Sequence, residues 1–190
     1  MPREKEGTER LSDETSLSQR PDALRSNGKP LDSRHLSLNP PFTVALADLL
    51  YPVKILELSG EAASLLFPME TLPLRHASPT LGCRMKLDGL SIAYCPDTGY
   101  CQNAVKLGRT VNLLIAECAF KPGQVNEEGP HLNPETAARI AIEAGAKRLV
   151  LTHFDATLYQ NLSDRKRAEA VADAIFAAPT TARVGLRIVL

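Results

Sequence analysis

Three ionisable residues fall where an α/β sheet would place chemistry. His76 precedes a predicted hairpin, Asp97 follows the predicted strand Leu90–Cys95, and His153 follows the predicted strand Leu149–Thr152. Ligands and catalytic groups in such sheets gather just beyond the strand ends, where loops converge. Imidazole and carboxylate are both good zinc ligands, and a carboxylate can bridge two ions. His76, Asp97 and His153 are therefore candidate metal ligands. Taken singly, each has a plainer reading. A lone histidine can be a surface or hydrogen-bonded core residue, and Asp97 in Pro96-Asp97-Thr98-Gly99 can be a turn residue.

The elements that must hold these residues can be read from periodicity. Val44, Ala45, Leu46, Leu49 and Leu50 have helical spacing within Phe42–Tyr51, and Pro52 stops the pattern. Val53–Leu58 alternates like a strand and ends at Ser59-Gly60. Cys83–Leu87 and Leu90–Cys95 alternate around Asp88-Gly89, a hairpin turn signal. Val111–Ala116 is a continuous apolar run, as in a strand buried on both faces. Pro134–Ala144 reads as a helix, with Asn133 as N-cap, Pro134 in first position, Glu135 in the first turn and Gly145 to close it. Arg148–Thr152 is a further strand, Arg165–Ala177 a second helix and Val184–Leu190 a final strand. Alternating strands and helices define an α/β class.

Residues 1–41 differ in texture. They hold seven basic and seven acidic residues with few large apolar groups, too little apolar surface to offset the entropy of ordering them. We expect a polar, disordered leader over 1–41 and a domain over 42–190. The charged start has no apolar signal-like core, and no apolar run approaches a membrane span, so a cytoplasmic protein without a membrane partner is expected. Lys+Arg and Asp+Glu are both 22. This balance gives no overall attraction for nucleic acid, though a local patch remains compatible with it. Cys83, Cys95, Cys101 and Cys118 form no Cys-x-x-Cys pair and read as buried thiols.

The order of several segments is more specific than any one residue. Leu72-Pro-Leu-Arg-His76 with Gly82-Cys-Arg84, Ile92-Ala-Tyr-Cys-Pro-Asp97-Thr-Gly, Asn112-Leu-Leu-Ile-Ala-Glu117, Pro130-His131-Leu-Asn-Pro-Glu135 and Arg148-Leu-Val-Leu-Thr-His153 follow one another. This series resembles the later motifs of metallo-β-lactamase-fold hydrolases of the ribonuclease Z type. The resemblance implies half of a four-layer αββα sandwich. It implies that His76 binds one ion, Asp97 bridges two, and His153 binds the other. It also implies that His131 and Glu117 form the catalytic pair that protonates the leaving group. A histidine held by a carboxylate can act as a general acid. The cofactor implied is zinc, two ions in the intact family, with manganese or iron as further candidates; no organic cofactor-binding residue is expected. Ala116 stands where ribonuclease Z has histidine.

The family's His-x-His-x-Asp-His signature is absent: upstream of His76 the only histidine is His35. His76, Asp97 and His153 alone are too few for two closed zinc spheres. A chain truncated relative to its family is expected, with either impaired metal-dependent hydrolysis or a non-catalytic role as a fragment or partner subunit. Only 20 residues separate His76 from Asp97, too few for a long tRNA-binding arm in that interval. The tripeptide Asp97-Thr98-Gly99 also occurs in aspartic proteases, which would require a homodimer to pair two aspartates. A half-sandwich exposes one sheet face, so self-association or a complementing N-terminal half is expected. A soluble monomer with a cooperative melt would contradict that expectation.

Overall fold

The computed structural model describes residues 67–190 and a short antiparallel pair, β1 (Arg25–Ser26) with β2 (Lys29–Pro30). The helix expected over 42–51, the strand over 53–58 and the rest of the leader lie outside the described residues.

Residues 67–190 form β3 (Met69–Pro73), β4 (Leu81–Leu87), β5 (Leu90–Cys95), α1 (Gln102–Leu107), β6 (Leu113–Glu117), α2 (Pro134–Ala144), β7 (Leu149–Thr152), α3 (Leu162–Asp173) and β8 (Thr180–Thr181). The strands make one six-stranded sheet in chain order, β3 to β8. β3, β4 and β5 pair antiparallel, whereas β5, β6, β7 and β8 pair parallel. A parallel neighbour needs a crossover, and α1, α2 and α3 supply the three in turn. β3 and β5 both run opposite to β4, so β3 ends on the same sheet edge as the parallel strands. Strand direction thus sends the chain after β3, β5, β6, β7 and β8 out through a single edge.

Local chemistry explains the individual elements. The β4–β5 hairpin closes Leu87 on Leu90, with Asp88 at φ 48° and Gly89 at φ 79°. Two successive positive φ values define the turn that matches strand twist, and Asp-Gly is a favoured pair for it. Asn133 caps α2 by accepting from the Thr136 amide at 2.9 Å, and Gly145 ends the helix in the left-handed region at φ 62°. Arg84 of β4 donates to the carbonyls of Leu107 at 3.2 Å and Arg109 at 2.6 Å, satisfying acceptors at the end of α1.

The core lies between the sheet and these helices. On one sheet face Ala93, Leu114 and Leu149 form a cross-strand row, and Cys95, Ala116 and Leu151 form the next. All six belong to the buried cluster that includes Leu107 of α1, Ile140 of α2 and Ala168 of α3. The opposite face carries Ile92, Tyr94 and Ile115, which are partly buried or exposed, beside Leu113 and Val150, which are buried. Among residues 67–190 no second sheet covers that face.

Two expectations change. The last helix starts at Leu162, not Arg165, because Asn161 accepts the Asp164 amide at 3.0 Å and sets the cap there. Val184–Leu190 is not a strand: the sheet takes its final strand at Thr180–Thr181, and Val184 and Val189 stand in solvent. Alternating β-branched residues favour extended backbone, but a strand requires a partner edge.

The cysteines divide into two kinds. Cys95 and Cys118 are buried, whereas Cys83 and Cys101 are partly exposed. Burial pushes the thiols of Cys95 and Cys118 up to about 12. At pH 8 each then carries only about one thiolate in ten thousand. A disulfide reagent at pH 8 should therefore modify Cys83 and Cys101 first and leave Cys95 and Cys118 until denaturant is added. Rapid native modification of all four thiols would contradict this packing.

Candidate metal centre

The shared sheet edge collects all five residues singled out from the sequence. His76 follows β3, Asp97 follows β5, Glu117 ends β6, and His153 follows β7. His131 lies in the loop that leads into α2. Nε2 of His153 stands 3.0 Å from Oδ1 of Asp97. The His131 ring centroid is 5.0 Å from that of His76 and 6.0 Å from that of His153. Residues spread over 78 positions of sequence are thus one cluster.

Glu117 organises it. The side chain is completely buried. Its Oε1 accepts the Thr98 amide at 2.7 Å and Nδ1 of His131 at 2.6 Å. Its Oε2 accepts the Ala119 amide at 2.9 Å. One carboxylate therefore holds the loop carrying Asp97, the loop carrying His131 and the turn leaving β6. Charge-assisted bonds of this kind are short and strong, and a buried carboxylate needs them. Because Nδ1 of His131 donates to Glu117, its Nε2 is the nitrogen left to face the centre.

The loops are fastened a second time. The Arg75 amide donates to Oγ1 of Thr98 at 3.2 Å, and the Gly99 amide donates to the Arg75 carbonyl at 2.8 Å. These bonds draw the exits of β3 and β5 together. The Phe120 amide donates to the Leu132 carbonyl at 3.0 Å, and the Phe120 ring meets His131 edge-on at 5.4 Å. The Ser78 amide donates to Nδ1 of His76 at 3.3 Å, which leaves Nε2 of His76 as its open nitrogen. His153 adopts φ 53°, a left-handed conformation that costs a non-glycine residue roughly 1 kcal/mol or more and concentrates at functional sites.

Two donor sets compete for an ion. Ligand atoms of Glu117, His131 and His153 lie within 4.8 Å of one another. Glu117, however, already accepts three hydrogen bonds, and ligation would compete with the bonds that hold both loops. Asp97 and His153 are partly exposed and face each other. Their 3.0 Å separation is close to the ~3.3 Å between neighbouring donors on a tetrahedral zinc. His76 stands against His131, and its open nitrogen is not among the three ligand atoms that lie within 4.8 Å of one another, so Asp97 and His153 offer a close pair of protein ligands to one ion. They do not complete two.

Thr98 and Gly99 escaped the sequence reading. Thr98 is completely buried and links Arg75 to Glu117. A Cβ on Gly99 would stand 2.7 Å from Cβ of Pro130, so the Asp97 loop can approach the His131 loop only with glycine there. Asp-Thr-Gly looked like an ordinary turn because the groups it contacts are remote in sequence.

The fold and this edge site define a metallo-β-lactamase-fold protein. The model of the β-lactamase superfamily domain matches residues 11–154, and the chain belongs to that family. The match begins inside the segment expected to be a leader. Among curated proteins, ribonuclease Z of Synechococcus sp. (strain CC9605) is 40% identical over 82 residues, which cover 42% of this chain and 26% of that protein. Ribonuclease Z of Thermobifida fusca (strain YX) is 38% identical over 86 residues, 44% of this chain and 27% of that protein. The chain thus matches about a quarter of the length of these relatives. Among solved structures, the metallo-β-lactamase fold protein YhfI from Bacillus subtilis superposes with a TM-score of 0.57 at 26% identity, over 63% of this chain and 48% of that one. The particular likeness is therefore to ribonuclease Z. None of the described helices is long and apolar enough to cross a membrane.

Gly99→Ala should displace Pro130 and with it His131. In a crystal structure of the variant, the Glu117–His131 bond should lengthen or break. An unchanged bond would mean that the close approach of the two loops does not position His131.

Proposed function

We propose that the protein is a metal-dependent hydrolase acting on a phosphodiester or related bond, with a metal ion held by His76, Asp97 and His153. The observation that carries the reading is the convergence of His76, Asp97, His131 and His153 at one sheet edge around the fully buried Glu117. The similarity to ribonuclease Z over about 80 residues supports the bond class. Zinc suits the donors best, and manganese or iron would also accept them.

When bound, such an ion lowers the pKa of water and stabilises charge developing on the reacting group. The chain's own residues do the rest. Asp97 and His153 face each other from the exits of β5 and β7, on either side of the β6 exit that carries Glu117. Glu117 fixes the ring of His131 and keeps its proton on Nδ1. His131 then presents Nε2 to the leaving oxygen and, when that nitrogen is protonated, delivers its proton to it. The Phe120 edge limits water on one side of the ring.

A second reading follows from the histidine count. The chain has four histidines, of which three stand at the site, so the described residues do not complete a two-ion centre. In this reading the protein is a partner subunit or fragment, silent on its own. Self-association or a complementing N-terminal half would supply what is missing.

The two readings separate on metal-supplemented hydrolysis of two phosphodiesters, one with a p-nitrophenol leaving group and one with an alkyl alcohol. The first reading predicts metal-dependent turnover of both. His131→Ala should lower kcat by about 10²–10⁴ for the alkyl ester and far less for the p-nitrophenyl ester, whose leaving group needs no proton. Equal losses on both would remove His131 from the role of acid. No turnover of either substrate would favour the subunit reading.

A further inference from the structure

The loop from β6 to α2 runs back across the strand exits before it presents His131. Its base is fastened: the Gly123 amide donates to Oε1 of Glu135 at 3.1 Å, and Nδ2 of Asn133 donates to the Gln124 carbonyl at 3.0 Å. Its end is fastened too, since Pro130 is buried and lies against Gly99 of the Asp97 loop. Between these points residues 125–128 are exposed. Among the described residues, a single hydrogen bond ties this tip to another segment: Nη2 of Arg75 donates to Oε2 of Glu127. The loop thus starts at the β6 exit, reaches the β3 exit at the residue next to His76, and returns past the β5 exit to His131.

Arg75 is held in two unequal ways. Its backbone is pinned to the Asp97 loop, with the amide donating to Oγ1 of Thr98 at 3.2 Å and the carbonyl accepting the Gly99 amide at 2.8 Å. Its side chain is 46% exposed and, among the described residues, has only Glu127, whose own side chain is 80% exposed. Ion pairs so open to water are weak and readily screened. The root of the arginine is therefore fixed beside the site, whereas its partner is exchangeable. Glu128 is also exposed, and its carboxylate has no partner among the described residues, so the tip carries a second, uncommitted negative charge.

We infer that Arg75 is the residue with which the site recognises an anionic substrate, and that Glu127 is its internal competitor. The substrate's anion takes the place of the Glu127 carboxylate on the guanidinium and releases the loop tip. The planar donors of arginine match the oxygens of a phosphodiester as well as those of a carboxylate, so the exchange is like for like. A neutral substrate cannot make it. The cost is small because the pair given up is an exposed one. Only residues 125–128 need to move: Glu135 and Asn133 keep the base, Pro130 keeps the end, and His131 stays on Glu117. The choice of a phosphodiester as the anion rests on the hydrolase reading above, whereas exchange on Arg75 requires no turnover.

The test is equilibrium binding of dimethyl phosphate to the zinc-exposed full chain at low salt, followed by phosphorus NMR line broadening. Competition predicts effects of opposite sign from the two halves of one ion pair. Arg75→Gln should weaken binding by roughly tenfold, the loss of a charge-assisted contact. Glu127→Gln should tighten it by roughly two- to fourfold, the strength of an exposed pair. Glu128→Gln removes the same charge from the neighbouring position and should tighten binding less. Arg75→Gln/Glu127→Gln should bind like Arg75→Gln alone. A pair that merely supports the fold would weaken binding in both single variants, and that result would overturn the exchange. Equal tightening in Glu127→Gln and Glu128→Gln, an unchanged affinity in Arg75→Gln, or no binding by either wild type or Glu127→Gln would overturn it as well. A chain that shows the opposite signs but turns over neither phosphodiester would contradict the hydrolase reading and leave the exchange standing.

Discussion

The site depends on one buried carboxylate. Glu117 ends a strand with apolar neighbours and has no access to solvent. A carboxylate in that position must be met by donors or it destabilises the fold. The donors that meet it are the Thr98 and Ala119 amides and Nδ1 of His131. Satisfying Glu117 is therefore the same event as docking the Asp97 loop and the His131 loop. Stability and site geometry are set by the same bonds, so neither loop can move freely without exposing the other to the cost.

The sheet supplies the framework for that docking. Three parallel and two antiparallel pairings send five strand exits through one edge. His76, Asp97, Glu117, His153 and Arg183 each leave from a different strand, and His131 reaches the same place by way of the α2 entry. Helices on the opposite side of the strands bury Ala93, Leu114 and Leu149, which fixes register. A one-residue slip would turn these residues to the other face and carry the edge residues with them.

Much of this was legible in the sequence because its causes are local. Asp88-Gly89 specifies the hairpin, and Asn133, Pro134 and Gly145 specify both ends of α2. His76, Asp97 and His153 stood out because each follows a recognisable strand, and the structure brings them to one edge. The remainder depends on contacts between remote segments. Nothing near Gly99 announces that Pro130 will lie against it, and nothing near Thr98 announces a buried carboxylate 19 residues away. α1 is six residues long, too short for a periodic signal, and its end is held by Arg84 from another strand. Val184–Leu190 has strand-like residues but finds no edge to pair with.

The central claim is that His76, Asp97 and His153 hold the metal while Glu117 orients His131. Elemental analysis of the purified chain after exposure to zinc and dialysis tests it most directly, with His76→Ala/Asp97→Ala and Glu117→Gln measured alongside. The account predicts about one equivalent of bound zinc in the wild type. It predicts loss in the double variant and retention in Glu117→Gln. Zinc that survives the double variant but leaves with Glu117→Gln would make Glu117, His131 and His153 the ligands and contradict the account.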